Sequence, residues 1–286
     1  MSVVLAQVVG SLIIIVALLM GMAYMTWFER RVISRLQVRI GPNRVGPNGL
    51  MQPIADALKL FFKEDVRPAM ADRWLYPLAP GISLVAALAV FAVIPVGPTV
   101  TIGGRSIPLI VQDMPVAVLY LIGLSSIGVY GVVLGGWSSG SKYSLLGSLR
   151  GSAQLVSYEL VLGLALVGVV LVCGTMSVAD IVDQQSHLVP LVILQPLGFL
   201  LYFTAAIAET NRAPFDLPEA EQELVAGYHT EYSGFRFALY YIAEYVNLLT
   251  VSAIAATLFF GGWLGPFNLL DGPWWLLIKM AVFAFV

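Results

Sequence analysis

The sequence has 286 residues, of which 59% are apolar and only 11% charged; 15 basic against 17 acidic residues give a formal net charge of −2. Ordinary soluble domains carry about 25% charged residues, so this chain lacks the polar surface to face water, and its solvent is lipid. The single cysteine, Cys173, excludes a disulfide framework, a cysteine-based zinc site and an iron–sulfur cluster held by this chain alone, and the two histidines, His187 and His229, match no metal or haem spacing.

A bilayer core of about 30 Å needs about 20 apolar residues in a helix. Seven uncharged runs are candidates: 3–27, 75–95, 115–137, 152–174, 188–209, 236–262 and Trp274 to the end. The first has no basic segment before it and no small-residue cleavage site after it, so it reads as a retained span and not a signal peptide. In the third, Gly131 and Gly135 form a GxxxG pair, joined by Gly123, Gly128 and Gly136, which suits close helix packing. Pro196 is expected to kink the fifth. The last run, Trp274 to Val286, makes only about 20 Å of helix. A helix that stops in lipid leaves its final carbonyls unsatisfied, so the natural chain is expected to continue.

With the N-terminus outside, the inside connections are 29–74, 138–151 and 210–235. The first holds Arg30, Arg31, Arg35, Arg39, Arg44, Lys59, Lys63, Arg67 and Arg73; the second Lys142 and Arg150; the third Arg212, with Arg236 at its edge. Thirteen of the 15 basic residues then face inside, against Arg105 outside and Lys279 in a span, and the positive-inside rule fixes that orientation.

Within the first connection, MQPIADALKLFFKED predicts a helix: Pro53 suits its first turn, Leu50, Ile54, Leu58 and Phe61 or Phe62 recur at helical spacing, and Asp56, Lys59 and Lys63 share another face. It is too short and too charged to span, and reads as an amphipathic helix in the headgroup plane; the sharper reading makes it the rim of an opening for a lipid-soluble substrate. From Glu209 to Arg236 the chain carries Glu209, Asp216, Glu219, Glu221, Glu223 and Glu231 against two bases, Arg212 and Arg236. A helix begun at Pro218 and stopped at Gly227 would account for two or three of these acids. Six so close together should push some carboxyl groups toward neutrality, as proton handling requires. His229, in the same stretch, reads as an ordinary interface residue that titrates in the useful range.

Glu159 and Glu244 lie inside spans, each about seven or eight residues from its inner end, with Glu209 at the inner end of the neighbouring span. Ionisable groups at membrane depth are functional by default, and three at similar depth suggest a proton or cation relay entering from the inside face. The competing reading is a neutral glutamic acid hydrogen-bonded between helices. Nothing of the GxGxxG or GxxxxGK[ST] kind follows a strand pattern, so no nucleotide site is indicated.

Three long stretches then carry a resemblance: ERRVISRLQVRIGPNRVGPNGLMQPIADALKLFFKED, YSLLGSLRGSAQLVSYEL and AETNRAPFDLPEAEQELVAGYHTEYSG. In order, and over essentially the whole chain, they resemble the H-subunit family of bacterial NADH-quinone oxidoreductase, the counterpart of mitochondrial complex I subunit 1. The resemblance implies an eight-helix fold, of which seven helices are visible here. The first span and the amphipathic helix would frame a lateral entrance for quinone, the substrate. It also implies roles at matching positions. Arg30, Arg39 and Asp56 match charged positions near the quinone tunnel; Arg212, Phe215 and Asp216 lie in the tunnel-lining NRAPFD stretch. Glu219, Glu221 and Glu223 match the acidic loop joining tunnel to proton path, and Glu159, Glu209 and Glu244 match that path's carboxylates. The family places FMN and the iron–sulfur clusters in neighbouring peripheral subunits, with none on this chain. Its other partners are small membrane subunits and antiporter-like subunits, and no nucleic acid.

The expectation is therefore an all-α polytopic membrane protein, one domain over 1–286 with an inside loop at 29–74 and an acidic coupling loop at 210–235. A start at Met1 with no import peptide fits a bacterial plasma membrane and leaves an organellar inner membrane open. Three other functions stay open. A coupling protein of a membrane-bound hydrogenase shares the fold, although GPNRVGP and PFDLPEAEQEL favour the quinone branch. A stand-alone transporter is expected to show inverted repeats, and none is visible. A membrane anchor leaves the intramembrane acids unexplained.

Overall fold

The structure, a computed structural model, describes residues 2–102, 105–187, 189–219, 221–266 and 271–285. It is a predominantly helical, polytopic membrane protein. Among the described residues, five helices are long and apolar enough to cross a bilayer, and two shorter apolar helices accompany them. The long ones are α1 (Ser2–Leu36), α3 (Leu75–Val90, extended by a 3-10 turn to Val93), α4 (Ala117–Ser138), α5 (Lys142–Cys173) and α10 (Gly234–Phe260); the short ones are α8 (Pro196–Glu209) and α11 (Pro273–Phe285).

Helix α2 (Gln52–Phe62) is the amphipathic segment expected, with Pro53 in its first turn, where a missing N–H costs nothing. Ile54, Leu58, Phe61 and Phe62 are all exposed, as a face turned to lipid should be. A two-stranded antiparallel hairpin, β1 (Gly97–Ile102) and β2 (Arg105–Leu109), joins α3 to α4, and the short amphipathic α6 (Val178–His187) follows α5. Gln185 of α6 donates to the carbonyls of Thr257 and Leu258, so α6 lies across the end of α10. The main core fills the space between α4, α5, α8 and α10, where Leu121, Leu166, Tyr202, Leu258 and Phe259 are fully buried.

Several boundaries differ from expectation. Helix α1 runs past residue 27 to Leu36, and α5 starts at Lys142, ten residues before the apolar run begins. In both, the helix extends beyond the apolar stretch through charged and polar residues, and in α5 even through Gly147 and Gly151, which an apolar run cannot register. Glu159 consequently stands near the middle of α5, not two turns from its start. The fifth span is broken, not kinked: α7 (Leu191–Leu194) ends at Gln195, whose φ of −132° and ψ of 61° are not helical, and Pro196 starts α8. Backbone bonds bridge the break, from the Gln195 amide to the Leu191 carbonyl at 2.8 Å and from the Phe199 amide to the Gln195 carbonyl at 3.0 Å, and the Gln195 side chain donates to the carbonyl of Gly168 at 2.8 Å.

Among the described residues of the 210–235 connection, the one-turn helix α9 (Glu221–Leu224) is present and no helix begins at Pro218, and Gly227 opens a 3-10 turn (Gly227–His229) instead of ending a helix. Gly227 has φ +61°, and a Cβ there would stand 1.9 Å from the carbonyl oxygen of Pro218, so two arms of the loop cross at a point only glycine permits. The small residues of α4 do pack closely. A Cβ on Gly131 would meet Ser83 of α3 at 1.9 Å, one on Gly135 the Tyr240 hydroxyl of α10 at 2.2 Å, and one on Gly136 the Ser148 Cβ of α5 at 2.3 Å. At the far end of α10, Lys279 of α11 donates three hydrogen bonds to the carbonyls of Phe260, Gly262 and Leu264, at 2.7, 2.8 and 2.7 Å.

Candidate functional site

The charged groups gather where the end of α1, the start of the α8–α10 loop and the first turns of α10 meet. Arg212 is the hub. Its Nη1 donates to Glu29 Oε1 at 2.8 Å, its Nη2 lies 3.2 Å from Glu244 Oε1, and its guanidinium stacks 4.9 Å over the Tyr245 ring. The three charged side chains are each about one-quarter exposed, at 29%, 26% and 22%. Burial opposes the charge on Arg212, but Glu244, the Tyr245 hydroxyl and Glu29 outweigh it and raise the guanidinium above its ordinary value. A planar fork that bridges two carboxylates and stacks on a ring is a task for arginine that lysine cannot perform.

From this hub a chain of contacts runs toward the interfacial helix. Tyr245 donates to Glu29 Oε2 at 2.6 Å, and Tyr241 donates to the Tyr245 hydroxyl at 3.2 Å. Tyr241 in turn interacts with Arg30, which pairs with Asp56 of α2 at 2.6 Å. Gln52, one turn earlier in α2, donates to the other oxygen of Asp56 at 3.0 Å.

In the other direction, Glu244 and Glu209 line one cavity of about 60 Å³, together with Asn211, Tyr228, Tyr240 and Asn247. Water occupies about 30 Å³ per molecule in the liquid, so this space suits about two, with enough polar groups to hold them. Glu209 also borders a second cavity of about 30 Å³ shared with Ser125 and Asn247, and it interacts electrostatically with Glu159. Glu159 accepts a hydrogen bond from the Ser126 hydroxyl of α4.

An apolar cavity of about 360 Å³ opens beside the hub, between α1, α8, α10 and α11. Phe28, Phe203, Leu248 and Phe283 are among its walls, and Glu29 and Arg212 are the charged groups on its lining.

The expected residues are distributed unevenly over this framework. Arg30 with Asp56, and Arg212 with Glu244, are direct pairs, and Glu209 and Glu159 continue the series. Asp216 is exposed yet within electrostatic range of Glu244. Phe215 is absent from the apolar cavity's lining; its ring packs edge-on to Tyr158 at 5.2 Å, and its carbonyl accepts from Gln154 of α5. Arg39 is exposed, beside Gln37, and apart from the hub. Glu223 pairs with Arg150 of α5 at 2.5 Å, and Glu219 lies 3.8 Å from His229. The side chain of Glu221 lies outside the described residues.

Glu29 was missed by sequence reasoning. It stands immediately before Arg30 and Arg31, where the basic run dominates the local charge. The available signal was an acid at the inner end of an apolar run, the same position as Glu209.

A family model described as NADH dehydrogenase matches residues 9–286, nearly the whole chain. The chain belongs to the NADH dehydrogenase family. Curated relatives carry names from the same family. The chain is 57% identical over 273 residues to the NADH-quinone oxidoreductase H subunit of Thermomicrobium roseum, an alignment covering 92% of this chain and 80% of that one. It is 55% identical to the H subunit of Protochlamydia amoebophila, over 92% of this chain and 80% of that one. A relative from Syntrophobacter fumaroxidans, the H subunit numbered 2 in that organism, is 52% identical over 96% and 82% of the two chains. As an NADH dehydrogenase family member with helices of this length and apolarity, the chain is a multi-pass membrane protein.

Proposed function

We propose that this chain is the membrane-embedded H subunit of a proton-translocating NADH-quinone oxidoreductase, that it admits quinone from the bilayer, and that it couples quinone reduction to proton movement. One observation carries the reading: a series of charged and phenolic groups that runs from Asp56 of the interfacial helix through Arg30, Tyr241, Tyr245, Glu29 and Arg212 to Glu244, and continues across the cavity that Glu244 shares with Glu209 toward Glu159. The apolar cavity with Glu29 and Arg212 on its lining has the character a quinone needs, since its long apolar tail and its ring carbonyls require opposite surroundings.

In this function quinone enters beside α1 and α2, and the N-terminus is outside. Reduction takes place at the junction with peripheral subunits that carry FMN and iron–sulfur clusters. Two electrons placed on quinone draw two protons, and the charge change is felt by the 210–235 loop through Asp216, Glu219, Glu221 and Glu223. It passes to Glu244, Glu209 and Glu159, and onward to small and antiporter-like membrane subunits. The membrane is a bacterial plasma membrane or an organellar inner membrane.

The test is the pair Glu159→Gln and Glu244→Gln in the assembled complex, in sealed vesicles. Each is expected to lower quinone-reductase rate or coupled proton pumping by tenfold or more, because the amide cannot carry a proton onward. Wild-type rates and pH gradients in both variants would remove the relay.

A further inference from the structure

Helix α10 carries a polar stripe of which the carboxylate series uses only the first member. Glu244, Asn247 and Thr250 follow at three-residue spacing, so they share one face and step along the helix by about 4.5 Å each. Glu244 lines the cavity of about 60 Å³, and Thr250 lines the one of about 30 Å³. Asn247 lines both, together with Glu209 of α8 and Ser125 of α4. These three residues, from three helices, mark the boundary between the two spaces.

Several polar groups face this space without a protein partner. Ser83 of α3 lines the larger cavity and is 7% exposed, yet its hydroxyl is buried and has no hydrogen-bond partner among the described residues. Oδ1 of Asn211, on the same lining, is buried and unpaired in the same sense. The Asn247 amide makes no hydrogen bond to a described residue either. The Ser125 hydroxyl differs, being held by the Ile122 carbonyl of its own helix at 3.0 Å. Lipid offers such groups nothing, so water meets their need. At about 30 Å³ per molecule the two spaces suit about three waters.

The amide is suited to this place by what it presents and by what it does not take. It offers a donor and an acceptor at once, so it can orient a water on each side. It takes no proton, so it adds no further stopping point between Glu244 and Glu209.

We propose that Asn247 is a positioning residue that aligns the water chain joining Glu244 to Glu209. A proton held by either carboxyl passes to the neighbouring water while another water delivers one to the other carboxylate. Each water breaks one O–H bond and makes one, and the total charge of the cavity is unchanged. The chain serves transfer in either direction. This inference rests on the coupling function proposed above.

The experiment uses the whole complex in sealed vesicles, with quinone-reductase kinetics and proton pumping measured for Asn247→Leu, Asn247→Ser and Glu244→Gln. Leucine keeps the branched shape of asparagine without its polar atoms. Serine is smaller, but it restores a hydroxyl and leaves room for a further water. Asn247→Leu is expected to lower kcat and the pumping rate by about fivefold or more, because the proton has no aligned path. Its KM for quinone is expected to stay within about twofold of wild type, since no quinone contact is removed. Asn247→Ser is expected to recover both rates to within about threefold of wild type. A role in packing alone predicts the reverse order, with leucine tolerated and serine the worse. Wild-type rates in Asn247→Leu, or losses in Asn247→Ser as large as those in Asn247→Leu, overturn the link. If Asn247→Leu fails to assemble, Asn247→Val takes its place on the same readouts, and wild-type rates there overturn it equally. Glu244→Gln keeps the failures apart: impaired pumping there beside a normal Asn247→Leu sinks only the link, whereas normal pumping in Glu244→Gln sinks the coupling function and the link with it.

Discussion

Replacing Arg212 by glutamine removes the cation that bridges Glu29 and Glu244. The two carboxylates lie 2.8 and 3.2 Å from its guanidinium nitrogens. At an effective dielectric near 20, a pair at about 3 Å attracts by roughly 5 kcal/mol before desolvation is set against it. Truncating one partner of a buried pair costs about 3–5 kcal/mol, most of it from the charge left behind. The carboxylates here retain 26% and 22% exposure, so water screens part of that loss and the lower end applies. The expected cost of Arg212→Gln is about 3 kcal/mol, which for a chain of this size lowers a melting midpoint by roughly 5–10 °C. Graded heating of the purified complex, with retention of this chain scored on native gels, reads that midpoint. Arg212→Lys is expected to recover only part of the loss, since a point charge cannot bridge both carboxylates and stack on Tyr245. Adding Glu244→Gln to Arg212→Gln should cost less than the sum of the two, as the neutral amide leaves no stranded charge. A midpoint within 1 °C of wild type for Arg212→Gln, or strict additivity with Glu244→Gln, would refute the hub.

Two further outcomes are expected. Gly136→Ala should destabilise by roughly 1–3 kcal/mol, because its Cβ would fall 2.4 Å from the Ser144 carbonyl and neither backbone can yield, whereas Gly123→Ala, with nothing within 4 Å, should change the same heating midpoint by less than 1 °C. Burial lowers His229 from 6.5 to about 4, so the fold favours the neutral ring; the loop's local stability is full above pH 6.5 and falls by up to about 3 kcal/mol as pH drops through 4. Hydrogen exchange of the 227–233 amides, corrected for intrinsic rates, should accelerate across that window in wild type; the same acceleration in His229→Asn would exclude the imidazole as its source.

Much of this arrangement is legible in the residues. Apolar runs mark the membrane helices because lipid leaves the backbone no other partner. Pro53 and the spacing of Ile54, Leu58 and Phe61 define α2, and an acid in an apolar run, as at Glu159 and Glu244, announces itself by its cost. What stays hidden depends on tertiary contact. Glu29 looks like one member of a charged helix end until the fold sets it against Arg212, 183 residues away. The break at Gln195 is a polar side chain reaching a carbonyl of α5, which Pro196 alone does not foretell. The N-terminal extension of α5 carries mixed polar residues and no periodic stripe, so only its contacts with Gly227 and Glu223 reveal it as helix.

The three carbonyls around Lys279 bear on how the chain enters the bilayer. A lysine near the centre of a membrane segment costs about 2.5–3.5 kcal/mol on insertion, and α11 alone has nothing to offset it. The acceptors belong to the end of α10 and the turn that follows. These two helices are therefore expected to partition into lipid as one hairpin, the ammonium already matched to the carbonyls, so that the charge a hydropathy scan scores against the last helix becomes the tie that lets it insert.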